Sequence, residues 1–287
     1  RSIGIFVVEE ITRNNWTYEL GARGDFQSIE AIDDDKINHN SMNLSGTTTW
    51  HFTPNQQFIF GIAQSQRAPS IEELLANGPH PATGSYLIGD KNLDEETSTN
   101  IELGYHWHND GIQTSINIFY NSIKDFIYAR NLNEIIDDLN GYQYTQIDAI
   151  FKGMESEIKI TFNTQWSGRI FADYVRATLE NGSYLPRISP PRFGSSLDFD
   201  SGRWNANLSV INTAEQSHAG ENESKTDSYM RIDARVGYTI KSDHAEYLVF
   251  LKGTNLLDEE IRNASSYLRD IAPEGGRGIQ AGIRVTF

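Results

Sequence analysis

The chain has no cysteine in its 287 residues, which excludes a disulfide framework, a thiolate nucleophile and any cysteine metal site. Basic side chains are scarce, 24 Lys and Arg against 39 Asp and Glu, for a formal charge of -15. A surface that tracks phosphates needs clustered cations, so no nucleic-acid partner is expected. No apolar run approaches the roughly 18 residues of a membrane-crossing helix, which excludes a helical membrane protein. Membrane strands are a different case, because they alternate apolar and polar residues and look only half hydrophobic. What the chain does have is Tyr 13, Phe 14, Trp 5 and Gly 23 beside only 8 Pro, a composition that suits β structure.

Alternation with period two runs through the sequence. Ile101, Leu103, Tyr105 and Trp107 face one way, against Asn100, Glu102, Gly104, His106 and His108. Ile112, Thr114, Ile116, Ile118 and Tyr120 repeat the pattern, as do Ile279, Ala281, Ile283, Val285 and Phe287. Thirteen strands are expected, at about 3–11, 16–26, 40–52, 56–67, 97–108, 111–128, 151–163, 166–180, 192–200, 203–216, 227–240, 244–255 and 277–287. Several exceed the five or six residues usual in soluble proteins and approach the roughly 9–11 of a tilted membrane strand.

The connections alternate as well. Tight turns such as "TRNN", "TPNQ" and "NDG" take turns with long segments near 27–39, 68–96, 129–150, 181–191, 217–226 and 256–276. Long loops on one side and short turns on the other is the asymmetry of outer-membrane barrels, with the short turns periplasmic. Trp16, Trp50, Trp107, Trp166 and Trp204 all fall near the short turns, as an aromatic girdle at headgroup level requires. The expected fold is therefore an all-β, transmembrane antiparallel barrel. A soluble sandwich would share the alternation but not the long strands or the two-sided loops. A closed single-chain barrel needs an even strand number. With thirteen strands, and a strand beginning next to Arg1, residues 1–287 are expected to be the C-terminal part of something longer.

Residues 66–104 are the richest segment. Ser70 with Glu73 three residues on is a capping box for a helix across "IEELLANG", with Gly78 as its stop. Arg67, Glu95, Glu96 and Glu102 bracket the loop, either as ion-pair anchors or as parts of a ligand site. "RAPSIEEL", "GDKNLDEETSTNIELG", "GTNLLDEEIRN" and a final strand ending in Phe together resemble the C-terminal barrel region of TonB-dependent outer-membrane receptors. Arg67, Ala68 and Pro69, with Asn92, Leu93 and either Glu95 or Glu96, match that family's paired loop motif. Asn255 and Leu256 match its penultimate-strand signature, and Phe287 its terminal aromatic. The resemblance implies a barrel of about 22 strands, of which these thirteen are the last. By the same resemblance, the N-terminal plug and first strands are expected to lie outside the chain. It further implies partnership with that plug, with the TonB-ExbB-ExbD energising complex through it, with outer-membrane lipid and lipopolysaccharide, and with the barrel assembly machinery. Polar-face residues, among them Asn100, Glu102, Gln113, Asn117, Glu155, Glu157, Asp233, Arg235 and Arg284, are expected to line the path and meet the plug. None has the setting of a nucleophile or an acid/base pair, so no enzymatic activity and no catalytic residue are expected. The competing class is a non-transport β protein such as an adhesin.

The histidines bear on the ligand. His39, His80 and His218 fall in or beside the outward loops, whereas His51, His106, His108 and His244 lie beside short turns. His39 follows Asp33, Asp34 and Asp35, and His218 precedes Glu221 and Glu223. Imidazole with carboxylate suits zinc. His106 and His108 point to one side of their strand, as lumen lining or as a metal stop-over. The segment "NGPHPATGSYLIGDKNL" resembles the zinc-uptake receptors of the family. It is also similar to haem receptors, in which a His between the paired motifs ligates iron, and His80 lies in that interval. The acidic loops attract a cation and repel haem propionates. The expected cargo is therefore zinc, with no permanently bound cofactor, and haem or a siderophore is the alternative.

Overall fold

A computed structural model describes residues 1–30 and 36–287. In chain order it contains β1 (Ser2–Arg13), β2 (Trp16–Ile29), β3 (Ile37–Thr53), β4 (Gln56–Arg67), α1 (Ile71–Leu75), β5 (Asn77–His80), β6 (Ser85–Ile88), β7 (Glu96–Asn109), β8 (Ile112–Ile136), β9 (Leu139–Thr161), β10 (Trp166–Leu179), β11 (Arg192–Asp200), β12 (Trp204–Thr213), β13 (Tyr229–Lys241), β14 (Glu246–Thr254) and β15 (Gly278–Thr286). Thirteen of the strands follow one another as antiparallel neighbours from β1 to β15, while β5 and β6 lie off that path.

The all-β expectation holds, but the closed barrel does not. Among the described residues β1 pairs only with β2 and β15 only with β14, so the sheet ends in two open edges. The reason is strand parity. Closing an antiparallel sheet requires first and last strands of opposite direction, and the first and thirteenth run the same way. Every residue of β1 is exposed, as an unpaired edge dictates.

Register sorts the two faces. Trp16 pairs with Trp50, Leu20 with Gly46 and Ala22 with Leu44, giving one apolar face across β2 and β3. The same face continues through Trp107, Thr114 and Ile158 on β7, β8 and β9. Its large side chains stay exposed: Leu103 is 55% accessible, Ile118 51% and Leu208 45%. An apolar face with no protein over it needs a nonaqueous neighbour. Near the short turns the rings associate across strands, Trp16 with Trp50 at 5.5 Å, Trp166 with Phe199 at 4.7 Å and Trp204 with Tyr238 at 4.7 Å. Each such pair contributes about 0.5–1.5 kcal/mol beyond burial. The opposite face carries Asn100, Glu102, Asn117, Glu155, Asp233 and Arg235, as the alternation expected.

Two loop expectations change. The 129–150 segment is not a loop: β8 and β9 continue as a hairpin to the two-residue turn Asp137-Asp138, with both residues at positive φ (49° and 62°). Such a primed turn matches the strand twist, and its Asn and Asp neighbours look like loop residues in sequence. α1 stops at Leu75 rather than at Gly78, because Asn77 enters β5.

Candidate functional site

Fully buried apolar side chains are few, and they gather at the long-loop end of the sheet. One cluster holds Ile29, Leu74, Leu93 and Ile127; the other holds Ala149, Ala177, Leu179 and Leu185. Neighbouring residues of the extended hairpin face opposite ways, and Ile127 enters the first cluster while Phe126 and Tyr128 pack on the second. The hairpin is thus wedged between two loop masses.

The first mass is the 68–95 connection. Ser70 accepts from the Glu73 amide, and the Glu73 carboxylate accepts from the Ser70 amide, completing the expected capping box. Arg67 clamps both ends of the loop: Nε donates to Glu96 at 2.7 Å, and Nη1 and Nη2 donate to Glu73 at 2.8 and 3.1 Å. Glu96 also accepts from the Ile127 amide at 2.5 Å, which ties the clamp to the hairpin. Burial disfavours ionisation of Glu73, yet the donors from Arg67 and Ser70 outweigh it and hold the carboxyl below its ordinary range. Pro69 is fully buried and Ala68 half-buried behind the clamp. Asn92 folds its side chain and amide onto Asp90 Oδ1, and Leu93 drops into the first cluster. Gln146 holds the Asp94 amide and carbonyl, and β6 pairs in parallel with the free edge of β9.

The candidate ligands sit as follows. His39 is buried, its Nδ1 bonded to Glu95 Oε1 at 3.0 Å while Nε2 has no partner. Glu95 also accepts from the Asn40 amide. His80 bonds Thr83 at 2.8 Å, and the ring of His218 stands edge-on to Tyr184 at 4.6 Å. His106 bonds Gln57, and His108 is exposed at the short-turn end. Glu221 forms a two-point pair with Arg130. Glu223 pairs with Arg187 and Arg269, at 3.8 and 3.1 Å, and accepts from the Arg187 amide. Asp33, Asp34 and Asp35 lie outside the described residues. Among the described residues no three His, Asp or Glu side chains are grouped to hold a metal ion. Those of the expected zinc ligands that are described are therefore dispersed, and His39, Glu221 and Glu223 serve as anchors.

The partners of these carboxylates are arginines far away in the sequence. Arg130, Arg187 and Arg269 organise the second mass, where the buried Arg269 also donates to the Ala264 carbonyl and Arg187 lies 4.3 Å over the Tyr267 ring. Tyr142 meets Tyr267 edge-on at 5.6 Å. The Arg130–Glu221 contact spans 91 positions, and no local pattern announces it. At the base of the last loop Asn255 is 2% exposed; it donates to the Glu259 and Gly275 carbonyls and accepts from the Glu259 amide. The neighbouring motif residue Leu256 sits half-buried beside Gly253, and the terminal Phe287 is fully exposed.

A family model described as TonB dependent receptor-like, beta-barrel, matches residues 1–256. A ferric enterobactin receptor, PirA, of Pseudomonas aeruginosa is 29% identical over 175 residues, covering 55% of this chain and 23% of that protein. Among solved structures, the copper transporter OprC superposes with a TM-score of 0.82 at 16% identity, covering 98% of this chain and 47% of that one. The siderophore receptor PirA of Acinetobacter baumannii gives a TM-score of 0.72 at 20% identity, covering 98% and 45%. The FrpB iron transporter of Neisseria meningitidis gives 0.75 at 13%, covering 98% and 44%. The chain thus spans less than half the length of these solved proteins.

Proposed function

The chain belongs to the TonB-dependent receptors, outer-membrane proteins that are not enzymes, and from that membership we propose that it supplies the C-terminal strands and outward loops of a receptor for a chelated metal, most simply a ferric siderophore. The observation that carries this reading is the state of the loop carboxylates. Glu221 and Glu223 are neutralised by arginine, and Glu95 is held by His39 and the Asn40 amide. Side chains committed to such pairs are poor ligands for a bare divalent cation, which needs several free donors at once. A metal that arrives inside a chelator needs none of them; it needs guanidinium, hydroxyl and aromatic groups that recognise the chelate.

Tyr142 of the extended hairpin and Tyr267 of the last loop, edge-on to each other beside the Arg187 guanidinium, present aromatic and hydroxyl groups of that kind at the long-loop end. The likeness to a ferric enterobactin receptor supports the same direction, and the likeness to iron and copper transporters supports metal uptake more broadly. In this reading the plug lies elsewhere in the receptor, meets the polar face, and passes the force of the TonB complex to the bound cargo.

Calorimetry on the full-length receptor in detergent tests the ligand class. A ferric siderophore is expected to give saturable binding, with Zn²⁺ and haem giving none at the same concentrations. Saturable Zn²⁺ binding without siderophore binding would overturn the proposal, and saturable haem binding alone would replace the chelate with haem.

A further inference from the structure

Charged side chains are rare on the apolar face, and two of them stand together. Lys152 and Arg176 are direct cross-strand partners on β9 and β10. Register puts both on the apolar face, in line with Tyr120 and Ile101 and one position beyond the Tyr174–Met154 pair. Lys152 has no ion-pair or hydrogen-bond partner among the described residues. Arg176 donates Nη2 to the Tyr184 hydroxyl at 2.7 Å and lies 5.1 Å from that ring, so its contacts there bring no countercharge. Like charges placed directly opposite destabilise a sheet. The carboxylates of Asp148 and Glu180 do not relieve them, since both are four residues farther along their strands, roughly 13 Å.

Position decides what does relieve them. Arg176 is ten residues from Trp166, the girdle residue at the short-turn end of β10. Ten residues of tilted strand climb about 25 Å, the height of the apolar band of an outer-membrane sheet. The two cations therefore sit at the opposite boundary of that band. Exposed Tyr120 (45%) and Tyr174 (38%) flank them, as tyrosines do at a headgroup layer. Below them Met154, Ile158 and Ile118 present exposed apolar surface to acyl chains.

We propose that Lys152 and Arg176 form a binding site for the phosphate of a phosphorylated glycolipid in the outer leaflet. This rests on the receptor reading above, because the orientation in the membrane comes from it. A phosphate between the two side chains accepts from the ammonium and from the guanidinium, both charge-assisted bonds. The acyl chains lie along the apolar face beneath, so lipid is favoured over free phosphate.

The test uses the full-length receptor in detergent, exchanged against bisphosphorylated lipid A, dephosphorylated lipid A or inorganic phosphate and read by native mass spectrometry. The wild type is expected to retain the bisphosphorylated lipid, and a Lys152→Gln/Arg176→Gln variant to lose at least tenfold in retention. Lys152→Arg/Arg176→Lys is expected to keep it. Equal retention by the charge-removed variant, or equal retention of the dephosphorylated lipid, would overturn the site. Displacement of the lipid by millimolar inorganic phosphate would make it a free-anion site and overturn the lipid assignment. Siderophore binding measured on the same variant separates the two proposals: it is expected to be unchanged, and its absence in the wild type would count against the siderophore assignment alone, leaving the membrane orientation and the lipid site in place.

Discussion

At the scale of single residues, the loop end of this protein is built from carboxylates that serve as struts. Glu73 shows the principle. Its side chain caps α1 and receives two donors from Arg67, and together these keep its carboxyl ionised despite burial. A carboxyl whose pKa is depressed in the folded state stabilises that state above its ordinary value and ceases to do so as pH falls through the depressed one. The 68–95 loop is therefore expected to loosen on acidification below the ordinary carboxylate range. Hydrogen exchange of the Leu74 and Ala76 amides against pH checks this, and in a Glu73→Gln variant the same acid step should be absent. Unchanged wild-type protection down to pH 2 would show that the clamp does not depend on the charge. The motif residues around Glu73 were legible in the sequence, because capping boxes and paired acidic and basic residues are local. Arg187 and Arg269 were not, because their meaning lies in the distant Glu223.

At the scale of elements, the β8–β9 hairpin differs most from the sequence reading. Its alternation continues beyond residue 128, but Asn, Asp and Gly are spread along it, and two breaks in register interrupt the pairing. The bulges and the tight turn were hidden for the same reason: each is made by residues that equally suit a loop. Both residues of the Asp137-Asp138 turn occupy a backbone region that costs an L residue with a side chain and costs glycine little. Asp138→Gly is therefore expected to stabilise the hairpin tip by a net of about 1 kcal/mol or less, because relief of roughly 1–2 kcal/mol of left-handed backbone strain is offset by about 0.4–1 kcal/mol of added freedom in the unfolded chain. Slower proteolytic cleavage between residues 130 and 145 would register the gain; faster cleavage would mean that the Asp side chains themselves hold the turn. Glycine plays a different part within the strands. A Cβ on Gly153 would meet the Phe119 ring at 2.6 Å, so the ring lies flat where its partner has no side chain.

At the scale of the whole molecule, an apolar face, a polar face and a loop-laden end make one oriented object. The five tryptophans test that orientation. Trp16, Trp50, Trp107, Trp166 and Trp204 all sit near the short turns. In bilayers of brominated lipid, bromine near the headgroup should quench their fluorescence more than bromine deep in the chains. Equal or reversed quenching would sink the orientation, and the placement of Lys152 and Arg176 with it. The alternation of side chains, the strand count along the sheet, the aromatic belt and the family motifs were all determined by the sequence alone, because each follows from a period of two residues or a contiguous stretch. Tertiary structure decided the rest. It left the sheet open, since pairing between first and last strands depends on their directions in space. It also gave His39, Glu221 and Glu223, three of the residues expected to meet zinc, ion-pair partners within the fold, since a carboxylate becomes a ligand or a strut according to which cation the fold brings beside it.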